Sequence, residues 1–99
     1  MNKEERFHTR KMLYAQLINK KGVFVQSLKT VEEMAELTQL IVKHLSGEKI
    51  DMNHLMEEFV DVQIMLEQFK LMYSMDNTTL SNLIDEKLSR IESLIGGEK

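Results

Sequence analysis

Two short acidic motifs hold the residues best suited to chemistry, Glu33-Met34-Ala35-Glu36 and Glu58-Phe59-Val60-Asp61. In a helix an i, i+3 spacing sets both carboxylates of a motif on one face, about one turn apart. The second motif is the unusual one. At about 100° per residue, Glu58 projects between Met65 and Phe69, and Asp61 lies beside Met65 and Met72. Both acids are thus expected along the face that should be buried. A buried carboxylate must be paired or must bind a metal, and no Lys or Arg shares that stripe of the helix. The pattern points to convergent carboxylates around a hard cation. The competing reading pairs Glu58 and Asp61 with Lys or Arg from another helix. Glu32 and Glu57 are read as solvated.

The ligand type limits the cation. All-oxygen sites suit Mg²⁺, Mn²⁺ or Ca²⁺, whereas di-iron bundles take Glu-x-x-His motifs from paired helices. The chain has one such motif, Glu5 to His8, and it stands apart from the acidic pair. His44 and His54 read as ordinary surface or boundary histidines. Mg²⁺ is the natural choice, because it keeps several waters and is commonly shared between protein carboxylates and substrate phosphates.

The elements that must position these acids are helices. Proline is absent and Gly is confined to Gly22, Gly47, Gly96 and Gly97, which leaves long uninterrupted blocks. The first block, about Asn2 to Lys20, carries Phe7, Leu13, Tyr14, Leu17 and Ile18 on one side. The second runs from Phe24 or Ser27 to Leu45, with Leu28, Val31, Ala35, Leu37, Ile41, Val42 and Leu45 as its apolar arc and Glu33 at the arc's edge. A third begins at Asp51, a plausible N-cap, and continues to about Met75. The fourth follows Asp76-Asn77-Thr78 with a cap-like Thr and carries Leu80, Leu83, Ile84, Leu88, Ile91 and Ile95; Gly96 to Lys99 is read as a frayed tail. No strand alternation, repeat or low-complexity segment appears. The expected fold is all-α, one domain over residues 1–99.

Composition removes other classes. With 13 basic against 16 acidic residues, a net charge of -3 and a pI near 5.6, no basic patch marks a nucleic-acid ligand. Without Cys there is neither a disulfide framework nor a zinc-thiolate site. No signal-like segment and no apolar run near membrane length is present, so no membrane is expected and the chain reads as cytoplasmic. Helix 3 also has apolar residues on a second side, Met56, Val60, Ile64 and Leu71. One four-helix layer has difficulty covering both sides, so a homodimer or larger assembly is expected.

Lys29-x-x-Glu32-Glu33-x-x-Glu36-Leu37, then twenty intervening residues, then Glu58-x-x-Asp61-Val62, resembles the MazG-like nucleoside triphosphate pyrophosphohydrolases, most strongly over residues 22–95. The resemblance implies a four-helix bundle completed by oligomerisation into dimers or tetramers. It implies Mg²⁺ at Glu33, Glu36, Glu58 and Asp61, as metal ligands and catalytic residues, and cleavage of a nucleoside triphosphate to monophosphate and pyrophosphate. Lys87 and Arg90 occupy the later position where such enzymes place basic residues for the phosphates, although Leu88 stands where many relatives have Asn. Lys29, one turn before Glu33, either neutralises a phosphate or forms an i, i+4 salt bridge with Glu33.

Base recognition has the faintest signal. Phe7, Tyr14, Phe24, Phe59, Phe69 and Tyr73 are the aromatics available; Phe7 and Phe24 are favoured for stacking because they lie outside the tightest apolar arcs. The reading from another class is a non-catalytic helical interaction module whose acids pair with basic residues of a partner.

Overall fold

The computed structural model describes residues 2–97, the side chains of Phe7 and His8 excepted. Four helices follow in order, α1 Lys3–Lys21, α2 Val23–Leu45, α3 Met52–Met72 and α4 Asn77–Gly96, with no strand among the described residues. Local chemistry sets their ends. The Asn2 side chain accepts from Glu5 N at 2.8 Å, and α1 carries Glu4 and Glu5 in its first turn and Lys20 and Lys21 in its last, the polarity its dipole favours. Gly22 alone separates α1 from α2. Its φ of 92° with ψ of 154° suits a residue without Cβ, so the break is a single residue and α2 starts earlier than either expected start.

Asp51 caps α3, its Oδ1 accepting from Asn53 N at 3.0 Å. That helix stops three residues short of the expected Met75, because Ser74 turns the chain with φ 51°. The cap of α4 is Asp76 rather than a Thr: Asp76 Oδ2 accepts from Thr79 N at 2.9 Å and from Thr79 Oγ1 at 2.8 Å. These bonds favour the carboxylate and hold its pKa below the usual range. Gly96 closes α4 rather than fraying, while Glu98 and Lys99 lie outside the described residues.

Packing is concentrated between α2 and α3, with α1 laid against both; α4 makes no close backbone approach to the other three. The radius of gyration, 17.1 Å, exceeds the roughly 13 Å of a compact domain of this length. What the α2–α3 seam buries differs from the expected apolar arc. Gln26, Thr30 and Glu33 of α2 and Gln68 of α3 are buried, whereas Tyr14 and Met65 are the buried apolar residues among those described. Leu28, Val31, Ile41, Val42 and Leu45 are exposed, as are Leu83, Ile84, Leu88, Ile91 and Ile95 on α4. Three helices cannot enclose two apolar sides and a polar seam at once, and in this chain the polar seam takes the inside.

Candidate metal centre

The acidic motifs meet in this seam. The helices run antiparallel, with Gln26 opposite Gln68 at one level and Glu33 beside Asp61 seven residues further along each helix. Carboxylate oxygens of Glu33, Glu58 and Asp61 lie within 4.8 Å of one another, and so do those of Glu32, Glu33 and Glu36. Glu33 belongs to both triads. Motifs on different helices, about 20 residues apart in the chain, converge because α2 and α3 form a hairpin over a short turn at residues 46–51.

Glu33 is 8% exposed, and its two oxygens differ. Oε1 takes the Lys29 ammonium at 3.1 Å, while Oε2 is buried with no hydrogen-bond partner. Glu58, half-buried, repeats the pattern: Oε1 meets His54 Nε2 at 3.1 Å and Oε2 is buried without a partner. A buried polar atom left unsatisfied costs about 1–3 kcal/mol, and more when charged. Asp61 sits at the exposed edge of the cluster, not along the buried face expected for it: the residues α3 buries are Met65 and Gln68, with Glu58 half-buried.

The electrostatics are those of crowded like charges. Asp61 has its pKa raised, chiefly by desolvation and then by the charges of Glu33, Glu58 and Glu57, with Lys29 opposing. Glu36 is raised first by the charge of Glu33, then by desolvation and by Glu58 and Glu32. Hydrogen bonds to Glu33 and Glu32 raise Lys29 in turn. Five carboxylates therefore share one ammonium and one imidazole. The partnerless buried oxygens, the all-carboxylate donor set and the unbalanced charge together suit a hard divalent cation.

Of the residues expected to act, Glu33, Glu36, Glu58 and Asp61 are brought together, and Lys29 joins them through Glu33 and Glu32. Lys87 and Arg90 are not: both are exposed on α4, and no ion pair links them to the acids among the described residues. Glu32, read as solvated, is exposed yet inside the cluster. His54, read as an ordinary surface residue, is exposed and bonds a site carboxylate. Its i, i+4 spacing to Glu58 was the signal available for it. Phe24, favoured for stacking, is 75% exposed, and the Phe7 side chain and the His8 of the Glu-x-x-His motif lie outside the described side chains.

Cavities border the packed helices. A groove of about 590 Å³ runs from Lys29 and Glu32 past Met65 to the buried Gln26–Gln68 pair. Between α1 and α3, a cavity of about 190 Å³ is lined by Arg10, Lys11, Tyr14, Glu67 and Lys70. There the Tyr14 hydroxyl donates to Glu67 at 2.6 Å beside an Arg10–Glu67 ion pair of 3.2 Å. Burial, then the Glu67 carboxylate, pushes the Tyr14 pKa up to about 12. Among the described residues no helix is long and apolar enough to cross a membrane. Compared with protein-family models, with curated proteins and with solved structures, the chain matches none.

Proposed function

We propose that the chain is a Mg²⁺-dependent nucleotide pyrophosphohydrolase of the MazG-like kind, converting a ribo- or deoxynucleoside triphosphate to monophosphate and pyrophosphate and clearing surplus or non-standard nucleotides from the cytoplasmic pool. The observation that carries the reading is the convergence of Glu33, Glu36, Glu58 and Asp61, with two buried carboxylate oxygens that have no partner within the protein. Bound there, Mg²⁺, or Mn²⁺ in its place, supplies Lewis-acid stabilisation of charge on the phosphates and a more acidic water.

The protein's own residues do the rest. Glu33, Glu58 and Asp61 fix the cation from two helices held in register, and Glu36 extends the cradle along α2. A carboxylate of the cluster not held as a ligand, with Glu32 the exposed example, takes the proton of the attacking water. His54 restrains Glu58 through its Oε1. Lys29 lies where it can turn from Glu33 to a phosphate oxygen.

Oligomerisation belongs to the same reading. Exposed Ile64, Val60, Met56 and Leu71 on α3, the outer arc of α2 and the apolar stripe of α4 are more apolar surface than a single chain of this kind leaves open. A homodimer or homotetramer covers them. It also offers a route for Lys87 and Arg90 on α4 of one copy to reach the acids of another. The rival reading, a helical interaction module without activity, draws on that same exposed surface and on Lys29 already neutralising part of the cluster.

Chromatography of products from a panel of nucleoside triphosphates decides between them. Monophosphate plus pyrophosphate is the expected result, lost on chelation and restored by Mn²⁺. Diphosphate plus orthophosphate means γ-phosphate hydrolysis, and no turnover of any substrate favours the interaction module.

A further inference from the structure

The polar half of the seam beyond the acids has no part in holding a cation. Gln26 and Gln68 are 5% and 2% exposed and are joined by one bond, Gln26 Nε2 donating to Gln68 Oε1 at 2.9 Å. A primary amide offers two N–H donors and an oxygen with two lone pairs. Gln68 directs an N–H at the Met65 sulfur, 3.7 Å away, a weak acceptor. The pair therefore leaves Gln26 Oε1 and one N–H of each amide without a bond inside the protein.

The pair does not sit in a sealed core. It lines the 590 Å³ groove, a volume within the usual range for small-molecule sites. Leu17, Val25, Leu28 and Met65 give that groove apolar walls, and its far end is formed by Lys29 and Glu32 of the acid cluster. From the level of Glu33 and Asp61 to that of Gln26 and Gln68 is seven residues on each helix, about 10 Å along the axis. A sugar and a heterocycle reach across such a span from a phosphate held at the acids. We propose that this groove is the nucleobase subsite, with the base lying against the apolar walls and its hydrogen-bonding edge read by the Gln26–Gln68 amides.

The subsite rests on the proposed triphosphate activity and sharpens it. Recognition comes from paired amides instead of stacking on Phe7 or Phe24. Two linked amides also exchange donor and acceptor by a concerted flip, so the bond to Gln68 sets which base edge the pair presents.

The test uses the full chain with Mg²⁺ and two probes, inorganic triphosphate and α,β-methylene nucleoside triphosphates carrying each common base. In amide-resolved NMR the side-chain NH₂ signals of Gln26 and Gln68 are expected to shift with a nucleotide and to stay in place with inorganic triphosphate. In calorimetry Gln68→Leu and Gln26→Met are expected to lose about tenfold in the preference for the best nucleotide over inorganic triphosphate, the worth of one good hydrogen bond. Their affinity for inorganic triphosphate should stay unchanged. Nucleotide binding with unmoved Gln signals in the wild-type chain overturns the subsite alone, even if a variant fails to fold. Absence of Mg²⁺-dependent binding by both probes overturns the triphosphate reading and the subsite with it.

Discussion

The inside of this chain is largely polar, whereas its outer faces are apolar and exposed. Along the α2–α3 seam Gln26, Thr30, Glu33 and Gln68 are buried; on the outer side of α2 and along α4, Val31, Val42, Leu45, Ile84 and Ile95 are at least half exposed. Burying a Glu in place of a Leu is unfavourable by itself. A chain that buries Glu33 and half-buries Glu58 while leaving leucines exposed suits a ligand within the seam and a second surface against its faces. On the proposed reading the seam carries the chemistry and the faces carry assembly.

The largest expected effect tests the inside. Glu33→Gln, Glu58→Gln or Asp61→Asn should each lower Mg²⁺-dependent turnover by more than ~10²-fold, since even residues behind the ligands of a metal site typically contribute 10- to 100-fold. The fold should survive, because neutralising one acid relieves repulsion among its neighbours. Initial rates alongside thermal unfolding separate the two effects. Near-normal hydrolysis in any of the three removes that residue from the site.

The outside is tested by Ile64→Asp. Light scattering on a sizing column should give a dimer or larger for the native chain at micromolar concentration, and a monomer or an unfolded chain for the variant. A stable native monomer would mean that self-assembly is not what covers the apolar faces.

A subtler contrast is the response to pH. Asp61 and Glu36 have pKa values raised in the fold, above the ordinary 3.8 and 4.5 of these side chains. Between those values and the raised ones the folded chain holds more protons than the unfolded chain, so stability falls as pH rises through that window. Asp76, held low by Thr79, acts in a separate window: its contribution is present above 3.8 and is lost as pH falls through its lowered value. Urea unfolding in chelator should therefore show the native chain losing stability as pH rises above the ordinary values of these two acids. Glu36→Gln with Asp61→Asn should flatten that decline, and a decline of equal size in the double variant would place its origin elsewhere.

The smallest effect concerns the contact between α1 and α3. Tyr14→Phe removes a hydrogen bond to a carboxylate that keeps its Arg10 partner, and should cost about 1 kcal/mol. With its folded pKa pushed to about 12 from 10.0, Tyr14 contributes stability that is complete below pH 10.0 and declines between the two values. The variant should lack that alkaline decline in a denaturant series.

The sequence carried the helix count and the cap at Asp51 openly, because absent proline, sparse glycine and local side-chain bonds act within a few residues. The convergence of the two acidic motifs was legible from helical spacing together with a resemblance. What was not legible is which side of α2 faces inward. Leu28, Val31 and Leu45 form a proper amphipathic arc, and periodicity reports that an arc will be covered without saying by what. The place of Lys87 and Arg90 was hidden for the same reason, since α4 has an apolar stripe but no helix of its own chain against it. The Gln26–Gln68 pair is invisible to hydrophobic patterning, being polar at positions that the fold buries.

Calorimetric titration of the chelated chain with Mg²⁺, repeated on Glu33→Gln, bears most directly on the seam as a cation site, because Glu33 is the residue common to both carboxylate triads. Saturable heat is predicted for the native chain, with an affinity at least ~10-fold weaker for the variant. Equal binding by the two chains, or no binding by either, would contradict a cation site in the seam.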